Sequence, residues 1–193
     1  MCKCEICANL TRMASSIIKL SEGSCWKECT HCHPPTLQLE VVKPQGKISF
    51  TVKNKDGTEA TSIIRNKVVL TGRNAFAASL ANQFNGEFPF YVTQILFGNN
   101  GTVGGSPRLV PDSQDALFGA AILTKPVIAS IDPNLPQQVT FTSTIDFDEA
   151  VGFTIDEMAL EMATGDLLSM STFPIISKTS NIQLIFNWQI YFV

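Results

Sequence analysis

The stretch IQLIFNWQIYFV (residues 182–193) puts Ile182, Leu184, Phe186, Trp188, Ile190 and Phe192 at every second position. Successive side chains of a β-strand point to opposite faces, so this alternation gathers six large apolar groups on one side. A strand of that kind belongs in the middle of a sheet. The segment is therefore expected to be fixed in a β-core and not to act as a flexible arm.

Working back along the chain, the same period of two recurs between turn signals. QQVTFTSTIDF places Val139, Phe141 and Ile145 on one face, with the small polar Ser143 in register. AVGFTIDEMALEM and DLLSMSTF flank a turn at Ala163-Thr164-Gly165-Asp166, and KISFTVKNKDGTEATSIIR reads as a hairpin turning at Asp56-Gly57, with Ile48, Phe50 and Val52 on one face. FYVTQILFG (residues 90–98) and LQLEVV (residues 37–42) are further strands. One helix is expected in NKVVLTGRNAFAASLANQFNG. Thr71 or Gly72 starts it, Phe76, Leu80 and Phe84 form its apolar stripe, and Asn85-Gly86 stops it. The long polar segment NNGTVGGSPRLVPDSQD is a loop and a contact candidate. It lacks the Lys-Ser/Thr of a phosphate loop. Short strands with regular turns predict a mainly β protein: an antiparallel β-sandwich or jelly-roll-like domain over residues 36–193 with one packed helix.

All six cysteines and both histidines precede residue 34. Two CxxC turns, CEIC (Cys4, Cys7) and CTHC (Cys29, Cys32), can each aim two thiolates at one point, and together they supply the tetrahedral four-sulfur shell that zinc prefers. Cys2, Cys25, His31 and His33 are alternative ligands. An iron-sulfur cluster or disulfides would use the same residues. A closed four-ligand site is structural and not catalytic. Residues 1–35 thus read as a small zinc-ribbon-like anchor that needs Zn2+ to fold, and Pro34-Pro35 reads as the linker to the body.

Apolar residues make up 45% of the 193 residues, charged residues 16%, and the net charge is -3. A typical domain carries about a quarter charged residues, so so little charge predicts a surface covered in part by neighbouring subunits. No apolar run approaches the ~20 residues of a membrane helix, and the Cys-rich opening does not resemble a secretion signal. Lys3, Arg12, Lys19 and Lys27 are offset by Glu5, Glu22 and Glu28, which disfavours a nucleic-acid footprint. With no histidine beyond the cluster, the β-domain cannot build a Ser-His-Asp or Cys-His centre. Carboxylates do cluster, at Asp146, Asp148 and Glu149 and again at Asp156, Glu157 and Glu161. Glycoside hydrolysis or Ca2+ binding would use such groups, but solvated strand ends account for them with less.

The succession VVLTGRNAFAASLANQF, YVTQILFGNNGT, SQDALFGA, VTFTSTIDFDEAVGFTIDEMAL and GDLLSMSTFPIISKTSNIQLIFNWQIYF resembles virion proteins of tailed bacteriophages, in particular small tail, baseplate or fibre-associated structural proteins. Gly72-Arg73-Asn74, Ile95 to Gly98, Ser113 to Leu117, Glu157 to Leu160 and Phe173 to Phe192, with Lys178 and Trp188, carry the likeness. It spans residues 66–193 and leaves out the Cys-rich start. The resemblance implies a non-enzymatic virion component, assembled in the host cytoplasm into the tail, baseplate or neck. Its partners would be other virion proteins and copies of itself, with no small-molecule substrate, no membrane and no catalytic residues. A capsid decoration (cement) protein and a zinc-ribbon nucleic-acid binder are the alternatives.

Overall fold

Residues Ile182–Phe192 form the central strand of a five-stranded antiparallel sheet in a computed structural model that describes residues 44–80 and 89–192. The strand expected at residues 37–42, together with Phe84 and Asn85-Gly86, lies outside the described residues. In chain order the elements are β1 (Pro44–Asn54), β2 (Glu59–Arg65), β3 (Lys67–Val68), α1 (Leu70–Leu80), β4 (Val92–Gly98), β5 (Thr102–Val103) and β6 (Ser106–Pro107). They continue with β7 (Leu123–Pro126), β8 (Ile128–Ser130), β9 (Gln138–Ile145), β10 (Thr154–Met162), β11 (Leu167–Ser177) and β12 (Ile182–Phe192). The first sheet has the order β2-β1-β12-β9-β8 and the second β3-β11-β10-β4-β7, while β5 and β6 form a separate hairpin. Every pairing is antiparallel.

The alternation in β12 places its apolar face where the pattern predicts. Leu184, Phe186 and Trp188 are fully buried and Ile190 nearly so. Trp188 stands between Ile48 of β1 and Phe141 of β9, and Phe186 between Phe50 and Ser143. Ser143, buried in the same register, donates from its hydroxyl to the Pro126 carbonyl across to the second sheet (3.3 Å), which satisfies it without water. Both sheets contribute to a single apolar cluster. Ring contacts join them, Phe97 to Phe186 at 4.9 Å and Phe50 to Phe173 at 5.9 Å between centroids. The chain passes between sheets through single residues at two corners, Asn66 between β2 and β3 and Val127 between β7 and β8. The hairpins turn where expected, with Gly57 and Gly165 both at positive φ.

Helix α1 begins slightly ahead of the expected caps. The Val69 carbonyl accepts the Arg73 N–H (3.1 Å) and so closes the first turn. Thr71 donates instead to the Leu167 carbonyl of β11 (2.6 Å). Gly72 is buried against the β11 backbone, and a Cβ there would lie 2.2 Å from the Leu168 carbonyl oxygen. The two residues expected to start the helix are thus its contacts with the sheet. On α1, Phe76 meets Phe192 edge-on at 5.3 Å. Among the described residues no helix is long and apolar enough to cross a membrane.

Because Phe186 touches rings of both sheets, Phe186→Ala is expected to destabilise the fold by ~3–5 kcal/mol, measured as a lowered midpoint in chemical denaturation.

Candidate functional site

Strand β10 is buried along almost its whole length, so both of its faces are covered. Ile155, Met158, Leu160 and Met162 face the shared core. The opposite face carries Glu157, Ala159 and Glu161, which stand across from Gly98, Leu96 and Gln94 of β4. Water is excluded from this outer face by a second apolar cluster. Val69, Leu117, Ala159, Leu167 and Met170 form it, with Leu96, Val110 and Phe118 packed around them. The segment after β4, expected to be a long polar loop and a contact candidate, lies over the second sheet through Val110, and Leu117 and Phe118 just beyond it continue the cover. Its tip folds into the β5–β6 hairpin, where Gly104 and Gly105 both adopt the positive φ that a two-residue turn requires.

A carboxylate buried on such a strand must find its hydrogen bonds in the protein. Glu157 accepts the backbone N–H groups of Asn100 (3.2 Å), Phe118 (2.7 Å) and Gly119 (3.0 Å). Asp156 accepts the Gly101 N–H (2.7 Å) and the Thr102 hydroxyl (2.7 Å). Both side chains are buried, which corrects their expected place at solvated strand ends. The sequence signal for them is the glycines. A Cβ at Gly98 would lie 2.5 Å from Glu157 Oε1, and one at Gly101 would lie 2.3 Å from the Asp156 carbonyl oxygen. Asp156 sits opposite an irregularity in β11, where pairing jumps from Ile176 to Thr172. Pro174, which has no N–H to give a ladder, lies in that jump. Asp112 makes a third tie. Its carbonyl accepts the Leu70 N–H (2.8 Å), and its carboxylate pairs with Lys67 and with Arg73 (3.1 Å). The Lys67 ammonium first, and then the Arg73 guanidinium, hold the Asp112 carboxyl below the usual range.

Beside this fastened segment runs a groove of about 240 Å³ lined by Arg65, Asn66, Lys67, Arg108, Leu109 and Met170 to Thr172. Arg108 is set firmly into its wall. Its N–H donates to the Gly101 carbonyl (2.8 Å), its own carbonyl accepts the Thr172 hydroxyl (2.6 Å), and its guanidinium lies 5.0 Å from the Phe118 ring centroid. Arg108 Nε is buried and has no acceptor. Sequence reading passed over all three cations because residues 65–67 and 108 come together only through the pairing of β3 with β11 and the course of the covering segment.

The other acidic group lies around the turn before β10. Glu149 accepts both contacts of the Lys125 ammonium (2.6 and 2.8 Å) and the Asp146 N–H (2.8 Å), and Asp148 is exposed. The Lys125 hydrogen bond, followed by that of Asp146, holds the Glu149 carboxyl below its ordinary value. Lys178 is buried beneath the turn and donates to the Phe147 (3.2 Å) and Thr179 (3.1 Å) carbonyls. Burial pulls its pKa down against the opposing pull of Asp148, Glu149 and Asp146. Asp146, Asp148 and Glu149 are thus one neighbourhood, while Asp156 and Glu157 are a separate clasp. Glu161 pairs with Gln94. Among the described residues no group of three or more His, Cys, Asp or Glu side chains is placed to hold a metal ion. Cys2, Cys4, Cys7, Cys25, Cys29, Cys32, His31 and His33 lie outside the described residues.

Comparison with family models, with curated proteins and with solved structures returned no match.

Removing the Glu157 carboxylate orphans three backbone donors, each worth ~1–3 kcal/mol when left unpaired in a buried site. Glu157→Ala is expected to destabilise the protein by at least ~3 kcal/mol and to speed amide hydrogen exchange at Asn100, Phe118 and Gly119 before the core strands exchange. Glu149, whose carboxyl is depressed in the folded protein, contributes stability above the ordinary glutamate pKa and loses it as pH falls through the folded value. Thermal unfolding followed from pH 6 downward should show a smaller acid-induced loss in Glu149→Gln than in the unaltered protein.

Proposed function

We propose that this protein is a non-enzymatic structural component of a tailed-bacteriophage virion, a β-sandwich that assembles into the tail, baseplate or neck. The observation that carries the reading is the stretch following the corner at Val127. Strand β8 ends the first sheet, residues 128–137 are all exposed, and Ile128 (75%), Ile131 (61%) and Leu135 (43%) show much of their surface. An open sheet edge bearing large apolar side chains invites strand pairing and burial by another chain unless a partner occupies it. Such an edge suits a subunit that spends its working life in contact.

The buried polar chemistry supports the same reading. The Asp156 and Glu157 oxygens are engaged by backbone N–H groups and a hydroxyl of the same chain, so their task is to give a surface segment one shape. Rigid, preshaped segments on a sheet scaffold lower the ordering cost of association. In this reading residues 1–35 are the second contact, an anchor held by Zn2+ on Cys4, Cys7, Cys29 and Cys32, and the partners are other virion proteins and copies of this chain.

Mass spectrometry of purified virions, with elemental analysis of the same particles, tests this. The chain is expected in stoichiometric copies with one zinc per copy. Its absence from virions overturns the structural role. Iron or oxidised cysteines in place of zinc overturns the ligand assignment alone.

A further inference from the structure

We propose that copies of this protein associate head to tail, the basic groove of one copy receiving the exposed segment 128–135 of the next, with Asp132 set against Arg108. The inference rests on the assembly reading and adds which surfaces meet. It starts from an unsatisfied group. Of the three cations at the groove, Lys67 is paired with Asp112, whereas Arg65 and Arg108 make no ion pair among the described residues. Arg108 is held in place, its backbone bonded on both sides and its guanidinium over the Phe118 ring, and although its Nε is buried the side chain as a whole is only half-buried, so the outer part of the guanidinium is open to a partner. A fixed guanidinium with an unused donor is preorganised for a carboxylate. Next to it Leu109 is 92% exposed, so the occupant that fits carries an acidic group flanked by apolar side chains. A polyanion fits less well, since the chain as a whole carries a net charge of -3 and the groove ends in a bare leucine.

The segment leaving β8 has that chemistry. Asp132 is the one carboxylate in residues 128–137 and stands between the exposed Ile131 and Leu135. Its Oδ1 accepts the Asn134 N–H (2.9 Å) and side-chain amide (3.1 Å), which fixes the turn and leaves Oδ2 for a partner. Pro133 and Pro136 restrict the same stretch, so little order remains to be imposed on binding. Strand order then sets the direction. The groove adjoins β2 and β3, which end their sheets on one side, and the donor segment follows β8, which ends the first sheet on the other. A copy cannot fill its own groove from the opposite end. The contact joins two different surfaces, and repetition of it yields a closed ring or an open filament according to the rotation between copies.

Sedimentation of the full chain over a concentration series, with Arg108→Glu and Asp132→Arg made separately, provides the test. The unaltered protein should self-associate, and each reversal should weaken association at least ~tenfold. An equimolar mixture of the two variants still holds one intact groove and one intact donor segment. The two reversed charges also attract each other, so this mixture should recover association beyond the dimer, whereas a mixture of Arg108→Gln with Asp132→Asn keeps one working contact and should stop at dimers. A misfolded variant could not be rescued by mixing, and Arg108→Gln with Asp132→Asn then replaces the pair. An unaltered protein that stays monomeric, association indifferent to both substitutions, or a mixture that recovers no dimer overturns the proposal. So does a monomer that binds a duplex oligonucleotide through Arg65 and Arg108, which would assign the groove to phosphate. The presence of the chain in virions is read independently, so either idea can fail without the other.

Discussion

A carboxyl group taken out of water must find its hydrogen bonds within the protein, and the outer face of the second sheet is arranged around that requirement. Strand β10 is covered on both sides, yet it carries Asp156 and Glu157 at adjacent positions. Their donors are backbone N–H groups and one hydroxyl and include no cation, so satisfying them fixes main-chain positions at residues 100–101 and 118–119 and the Thr102 side chain. Glu157 reaches both ends of the covering segment at once, and the Asn100 side-chain amide donates to the Phe118 carbonyl (3.0 Å) to close the same gap. What lies between is then a compact excursion closed at its base. Apolar cover by Leu117 and Phe118 alone would bury area without dictating the segment's path. The carboxylates dictate it, and with it the position of Arg108.

The sheet framework was readable from sequence because its signals are local. Alternation in β12 and β9, Asp56-Gly57 and the turn at Gly165 each depend on a few neighbouring residues, and each was found at its expected place. The misreadings share a different cause. Gly104-Gly105 is a recognisable turn pair, but the two-residue strands beside it are too short to show a period. TIDEMALEM reads equally well as a half-solvated strand, and its second face is buried because residues 110, 117 and 118 return to pack in the cluster over it. That Gly98 stands opposite Glu157, leaving room for the carboxylate, is visible only once the register of β4 on β10 is known. Thr71 and Gly72 have the composition of a helix start, yet β11 claims both. The groove depends on three separate segments and gives no motif at all.

The place of β12 between β1 and β9 carries a consequence for synthesis on the ribosome. Pro44 is paired with Phe192 and Asn54 with Ile182, so the first strand described depends along its length on the last. Until residues 182–192 have emerged, the β1–β2 hairpin has one unpaired edge, β9 has another, and Phe50 and Phe141 have no Phe186 or Trp188 to pack against. Contacts of such long sequence separation close late and slowly. The first sheet therefore closes only after β12 is made, and until then the nascent chain carries the unpaired edges of β1 and β9.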